Sequence, residues 1–389
     1  MSEDTFHIAF CSDDTFAPHA AVAIRSLIDN ASDPKRLHVW LLDAGMSSKS
    51  REFIEAMCAE LGVPIDFPQM SLADDETLLA DRHVSRATYG RIFLPEILDG
   101  SIESCLYLDG DLIVLDDILK LAEITLHNKC LASVDDFYLT RNTILSMPLS
   151  VRYFNAGVIL LDLVHWRNEN ISRQVLNYAG QYPDNLLYWD QDAMNAILYD
   201  KRFPLPLRWN QQIHFDDYPG GLAQGGTETE IREAMDNPAI IHFVGPEKPW
   251  HYMCLNPNKN LYFTYRERTP WAGFSIPGPE RLVDFFRGKR VIIFGAGKKG
   301  AIAINSYRKY GCDPEYIIDN DPLKSGYSLE GLPIHPPTYL ADKDSDRFMI
   351  VIASMYSNEI VEQLKLMGLK EYKHFVVRGF EHCLDAICN

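Results

Sequence analysis

The stretch YLDGDLIV, residues 107–114, is the one on which the fold turns. A short apolar run ends at Leu108 and delivers two carboxylates, Asp109 and Asp111, separated by one glycine. An apolar run of this length that breaks into polar residues reads as a buried strand. In a parallel sheet, ligands bind beyond the carboxyl ends of such strands. Two carboxylates this close repel one another unless a proton or a cation lies between them. A hard divalent ion, Mn²⁺ or Mg²⁺, suits the pair and can hold a diphosphate at the same time. Gly110 is expected to let the chain turn and to admit a ligand closely. The plain alternative is a solvent-exposed acidic turn.

The flanking sequence supports a strand. Residues 7–11, 38–42, 131–134 and 158–161 are further short apolar runs, and residues 17–28 and 48–61 carry apolar positions at helical spacing. This βαβα rhythm predicts an α/β fold with a mostly parallel sheet and helices on both faces. Polar residues then follow several strands: Asp13 and Asp14, the Asp109–Asp111 pair, Asp135 and Asp136, and His242. In IHFVGPEKPW, residues 241–250, His242 is placed to be a third metal ligand and Lys248 to meet phosphate oxygens. Gly245 would let the backbone approach a diphosphate. The bland reading of His242 is a satisfied core histidine.

Composition narrows the function classes. The 389 residues are 47% hydrophobic and 23% charged, ample for two globular domains. A net charge of −17 argues against a nucleic-acid partner and against a strong electrostatic membrane anchor. It leaves room for a local phosphate site of opposite sign. The acidic start MSEDTF lacks the basic flank of a signal peptide, and no run approaches the roughly 18 apolar residues of a membrane span. Eight scattered cysteines with no CxxC pair read as buried free thiols in a reducing cytosol. The expected location is cytoplasmic, at most peripheral at the inner face of the membrane, where Arg266 and Arg268 offer only a faint basic patch.

A Pro- and Gly-rich stretch separates a second α/β pattern, giving expected domains at 1–272 and 289–389 with a linker at 273–288. There VIIFGAGKKG, residues 291–300, places a strand before Gly295, Gly297 and Gly300, and a helical pattern follows. Asp319 ends the next strand about 20 residues on, where an acid can bind a ribose. Lys298 and Lys299 would add to a phosphate site. A nucleotide of unidentified kind is one expectation for this domain, and a scaffold that builds a homo-oligomer is the other. The segment resembles the small Rossmann-like domains attached to bacterial sugar-modifying enzymes, through IDNDPLKSG (318–326) and GLPI (331–334).

The first domain resembles the family 8 glycosyltransferases. Six blocks carry the likeness in order: FCSDDTFAP (10–18), SRATYGRIFLPEIL (85–98), YLDGDLIV (107–114), YFNAGVILLDL (153–163), WDQDAMN (189–195) and HFVGPEKPW (242–250). The resemblance implies a GT-A fold and a retaining transfer of galactose or glucose from a uridine diphosphate sugar held through Mn²⁺. The acceptor it implies is a glycan or lipid-linked glycan of a bacterial surface polysaccharide or lipopolysaccharide. It assigns Asp13 and Phe16 to the uracil, Arg91 to the donor, and Asp109, Asp111 and His242 to the metal. It assigns Asn155 and Asp135 to the donor sugar, Asp190 and Gln191 to its reactive carbon, and Gly245 and Lys248 to the diphosphate.

Cys11, Thr15 and Gly90 depart from residues common in the family. Gln191 stands where a carboxylate nucleophile would serve a double displacement. An amide there favours front-side substitution, with the departing phosphate as base. The competing functions are an NAD-dependent oxidoreductase built on the C-terminal glycines, and a sugar-nucleotide-binding protein without turnover.

Overall fold

In the first strand, β1 (Phe6–Ser12), every residue is buried, and alternate side chains enter opposite layers. Ile8 and Phe10 join a core with Ile24 and Leu27, while Ala9 and Cys11 join one with Tyr107 and Trp166. A strand covered on both faces belongs at the centre of its sheet. The computed structural model describes residues 5–69, 86–136, 141–212, 227–245, 248–250, 256–273, 288–309, 313–340, 345–354, 356–370 and 373–377. It divides into two units, Met1–Lys248 with Asn258–Phe274, and Pro249–Pro257 with Ser275–Asn389. Of the linker expected at 273–288, residues 274–287 lie outside the described residues.

The first unit is built on a seven-stranded sheet of order β3-β2-β1-β4-β7-β6-β8. Its other strands are β2 (Leu37–Asp43), β3 (Ile65–Asp66), β4 (Ser104–Leu108), β6 (Leu131–Asp135), β7 (Phe154–Asp162) and β8 (Arg202–Pro204). Parallel pairing holds from β3 through β4 and again between β6 and β8. The expected parallel sheet has one reversed member, since β7 runs antiparallel to both β4 and β6. The connection from β6 to β7 shows turns and no crossover helix among its described residues, so the chain returns in the opposite direction.

The helix Ala17–Asn30 buries Ala20, Ala21, Ile24 and Leu27 against this sheet. Pro18 lies in its first turn, where a missing N–H costs nothing. A separate ribbon pairs β5 (Leu112–Val114) antiparallel with β9 (Ile240–His242), Leu112 opposite His242. That ribbon brings the two distant halves of the site together.

The second unit has a six-stranded sheet of order β12-β13-β11-β10-β14-β15. The strands are β10 (Arg290–Phe294), β11 (Tyr316–Ile318), β12 (Ser328–Leu329), β13 (Leu332–His335), β14 (Phe348–Ile352) and β15 (Phe375–Val377). All pairs are parallel except β12 with β13. Val291 and Ile293 face one core and Ile292 and Phe294 the other, so this sheet is also covered on both sides. Cys11, Cys58, Cys105 and Cys130 are buried, and the other four cysteines lie outside the described residues.

Candidate active site

β4 ends at Leu108 and places Asp109 at the carboxyl edge of the sheet, its N–H bonded to the Gly157 carbonyl at 2.8 Å. The chain turns through Gly110 into β5, so Asp111 stands next to the β5–β9 ribbon. The Phe243 N–H donates to the Asp111 carbonyl at 3.0 Å. Asp109, Asp111 and His242 thereby converge, with ligand atoms all within 4.8 Å of one another. His242 Nε2 lies 3.1 Å from Asp111 Oδ1 and 3.8 Å from Asp109 Oδ2.

Two carboxylates and an imidazole with no thiolate suit Mn²⁺ or Mg²⁺ better than a thiophilic ion. The backbone keeps this space clear. A Cβ at Gly157 would overlap the His242 ring and stand 2.7 Å from Asp109 Oδ2. Lys248 Nζ sits 2.5 Å from Asp111 Oδ2 and donates to the Phe243 carbonyl at 2.7 Å. Burial alone would raise the Asp111 carboxyl, but Lys248 and His242 beside it hold it well below the usual range. Its charged form is therefore fixed.

Arg91 joins this cluster to the next. It is buried, stacks over the Tyr107 ring at 4.7 Å and donates to the Ala156 carbonyl. Its guanidinium lies 3.2 Å from Asp109 Oδ1 and 2.9 Å from Asp190 Oδ2. Asp190 opens the helix Trp189–Leu198 and is 2% exposed. Burial pushes its carboxyl up to about 6, against the pull of Arg91. At the next residue, Gln191 Oε1 accepts the Ala156 N–H at 2.8 Å. The carbonyl side of Gln191 is thus tied to β7, and its Nε2 lies 3.5 Å from Asp136 Oδ2.

Asn155, also on β7, accepts the Gly157 N–H at 2.9 Å and donates to Asp136 Oδ2 at 3.3 Å. Here the geometry departs from the expectation for Asp135. Arg152 and Arg202 hold the Asp135 carboxylate at 2.8 and 2.5 Å, and its neighbour Asp136 is the one beside Asn155 and Gln191. Adjacent strand residues face opposite sides, and the β6–β7 register shifts between Ser133 and Asp135.

At the other edge, Asp13 Oδ1 accepts the Phe16 N–H at 2.8 Å and steadies the entry to the first helix. The Phe16 ring packs on Gly110, where a Cβ would come within 2.9 Å of it. Gly110 is accordingly small for the ring's sake, and its backbone is not left-handed. Gly245 does need that freedom, with φ of +78°. Gly90 and Cys11, two of the unusual residues, touch: a Cβ on Gly90 would stand 2.8 Å from the Cys11 sulfur.

Two participants carried no signal of their own in the sequence, Gly157 and Asn210, while Asp136 was visible only as one of an acidic pair after a strand. Asn210 is fully buried and hydrogen-bonds both His242 and Asn155 at 2.9 Å. Asp192, by contrast, is structural. Its carboxylate holds Arg141, the Tyr153 hydroxyl and the N–H groups of Leu187 and Tyr188.

In the second unit a cavity of about 660 Å³ opens beyond β10, lined by Gly295, Gly297, Lys298, Lys299, Asp319 and Lys324 among others. Gly300 has no space for a Cβ against the Gly295 carbonyl, and Gly297 borders open space. Asp319 turns inward: its carboxylate accepts from the Ala296 and Asp321 N–H groups at 2.6 and 2.8 Å and from Lys324 at 3.1 Å. It braces the glycine loop.

The first unit, with its sheet order and carboxylates at the β4 edge, has the GT-A fold of nucleotide-sugar transferases, and the second is a separate α/β domain. The chain belongs to glycosyltransferase family 8, whose family model matches residues 7–254. A second model, described as a C-methyltransferase C-terminal domain, matches residues 285–377. The general stress protein A of Bacillus subtilis is 33% identical over 282 residues, covering 71% of this chain and 98% of that one. The lipopolysaccharide 1,3-galactosyltransferase of Salmonella typhimurium is 24% identical, covering 71% and 82%. A crystal structure of the galactosyltransferase LgtC with donor and acceptor sugar analogs superposes with a TM-score of 0.60 at 26% identity, over 71% of this chain and 99% of that one. The reaction class is glycosyl transfer.

No helix among the described residues is long and apolar enough to cross a membrane. The faint basic patch expected at Arg266 and Arg268 is not one. Arg266 is buried against the Tyr262 hydroxyl, and Arg268 pairs with Asp29 at 2.9 Å.

Proposed function

We propose that the chain moves a hexose, galactose or glucose, from a uridine diphosphate sugar to a glycan or lipid-linked glycan acceptor, with retention at the anomeric carbon. The observation that carries this reading is the convergence of Asp109, Asp111 and His242 beside Lys248. Those three residues would hold Mn²⁺ or Mg²⁺, which when bound neutralises the diphosphate and acts as a Lewis acid on the departing oxygen. Lys248 supplies a second positive charge where leaving-group charge develops. In this reading Phe16 and Asp13 would receive the base, and the buried Arg91–Asp190 pair would support the sugar.

Retention by front-side substitution is supported by the surroundings of the two residues read as flanking the reactive carbon. Gln191 is an amide bound to the backbone, and Asp190 is buried against Arg91. Neither offers a free carboxylate for a covalent intermediate, so the donor's own departing phosphate is the base for the acceptor hydroxyl. The acceptor is read as part of a bacterial surface polysaccharide or lipopolysaccharide. The second unit is read as accessory. Its lysine-rich cavity suits a phosphate-bearing nucleotide, and an inward Asp319 disfavours a dinucleotide reader with hydride chemistry.

The test is release of uridine diphosphate from UDP-galactose or UDP-glucose with Mn²⁺ present. Release abolished by EDTA and by Asp111→Ala is expected. Hydride transfer to or from NAD without release of UDP would overturn the reading. Equilibrium binding of UDP and NAD to full chains carrying Asp111→Ala, with and without Lys298→Ala, tests the second cavity, and binding that Lys298→Ala leaves unchanged returns that unit to a scaffold.

A further inference from the structure

A hydrogen-bond chain fixes the proton on His242, and it starts from a group whose role is never in doubt. The Gly157 backbone N–H is a donor. The Asn155 atom that it meets at 2.9 Å is therefore the oxygen, Oδ1. Asn210 presents its other partner to that same oxygen at 2.9 Å, so the Asn210 group on that side must be the NH₂. The remaining Asn210 atom, facing His242 Nδ1 at 2.9 Å, is then a carbonyl oxygen. An amide oxygen only accepts. Nδ1 must carry the hydrogen, and in the neutral ring Nε2 keeps its lone pair, aimed at the side where Asp109 and Asp111 stand.

We propose that Asn210 is the positioning residue that makes His242 an Nε2 ligand, completing a relay of fixed polarity from the Gly157 backbone to the cation site. The inference rests on the metal-binding reading above. Asn210 has no exposed surface and Asn155 is nearly closed, so both amides are held by protein partners. The same relay ties metal to sugar. Asn155 Nδ2 continues to Asp136, which Gln191 Nε2 also faces. A ring held this way has one tautomer and one orientation, the two properties that an outer partner gives a metal-bound histidine.

The test uses the full-length protein. Nitrogen-15 spectra of histidine-labelled, metal-free protein at alkaline pH report which ring nitrogen carries the proton, with His242 identified by the signal lost in His242→Gln. Mn²⁺ is then titrated into wild type, Asn210→Ala and Asn210→Asp, with the free ion followed by electron paramagnetic resonance. The expected results are an Nδ1–H ring in wild type and about 10–100-fold weaker Mn²⁺ binding in Asn210→Ala. Asn210→Asp, whose carboxylate still accepts from Nδ1 but no longer donates to Asn155 Oδ1, falls between wild type and Asn210→Ala. A neutral ring protonated at Nε2, or Asn210→Ala binding Mn²⁺ like wild type, overturns the proposal. Wild type that binds no Mn²⁺ overturns the metal reading instead, and the ring spectrum still decides this one. Should Asn210→Ala fail to fold, the wild-type spectrum is sufficient.

Discussion

Gly157 stands flat against the imidazole of His242, across a gap that admits no further atom. A methyl group there would push the ring away from Asp109 and Asp111. Gly157→Ala is expected to lose Mn²⁺ binding by more than tenfold while the fold survives an overpacking cost of about 1–3 kcal/mol. Metal titration beside a thermal melt separates the two effects. Native metal affinity in a folded Gly157→Ala protein would remove Gly157 from the site.

Asp190 links activity to pH. Burial raises its carboxyl from the ordinary 3.8 to about 6, with Arg91 opposing. The sign for stability follows. The protonated acid favours the fold below 3.8, and that contribution is lost as pH rises through about 6. Activity runs the other way, because the carboxylate is what holds Arg91 in place. Turnover is expected to fall about tenfold per pH unit below 6. Asp190→Asn should have low activity and no such limb between pH 5 and 7. An acid limb that persists unchanged in the Asn variant assigns it to another group.

Gly90 and Cys11 form a matched pair. A Cβ on Gly90 meets the Cys11 sulfur at 2.8 Å, so Gly90→Ala should cost about 1–3 kcal/mol in denaturant unfolding. Cys11→Ala opens the space, and the double variant should recover at least half of that loss. Additive costs in the double variant would show that the two residues do not compete for one volume.

Asp135 and Asp136 are predicted to fail differently. Asp136→Asn disturbs the group that Asn155 and Gln191 share and should lower kcat by about tenfold or more, with little change in melting temperature. Asp135→Asn breaks contacts to Arg152 and Arg202 and should cost about 1.5–3 kcal/mol of stability with kcat nearly intact. Steady-state kinetics and melts on both proteins decide it; the reverse assignment of effects returns the sugar site to Asp135.

Much of this was legible because chemistry in an α/β sheet concentrates at strand ends. Asp109, Asp111 and His242 each follow an apolar run, and such runs are visible. What stayed hidden had no pattern to show. Asn210 sits in a short turn of 3₁₀ helix and looks like any loop amide. Gly157 lies mid-strand among buried residues, where its lack of a side chain matters only once the His242 ring is seen. Apolar periodicity carries no direction, which is why the reversal of β7 was not read. Asp135 and Asp136 are separated by a single residue step, and the irregular register of β6 decides which of them turns inward.

The β5–β9 ribbon sets an order of events in time. Asp111 and His242 are 131 residues apart along the chain, yet they meet through a ribbon three residues long. A nascent chain emerging from the ribosome displays its acidic pair long before the histidine is made. Until residues 240–242 leave the exit tunnel and zip onto β5, the cation site has neither its third ligand nor Lys248. Competence for transfer therefore arrives late and at once, when the last strand of the first unit docks. A chain truncated before that strand is expected to be inert however well its sheet has formed.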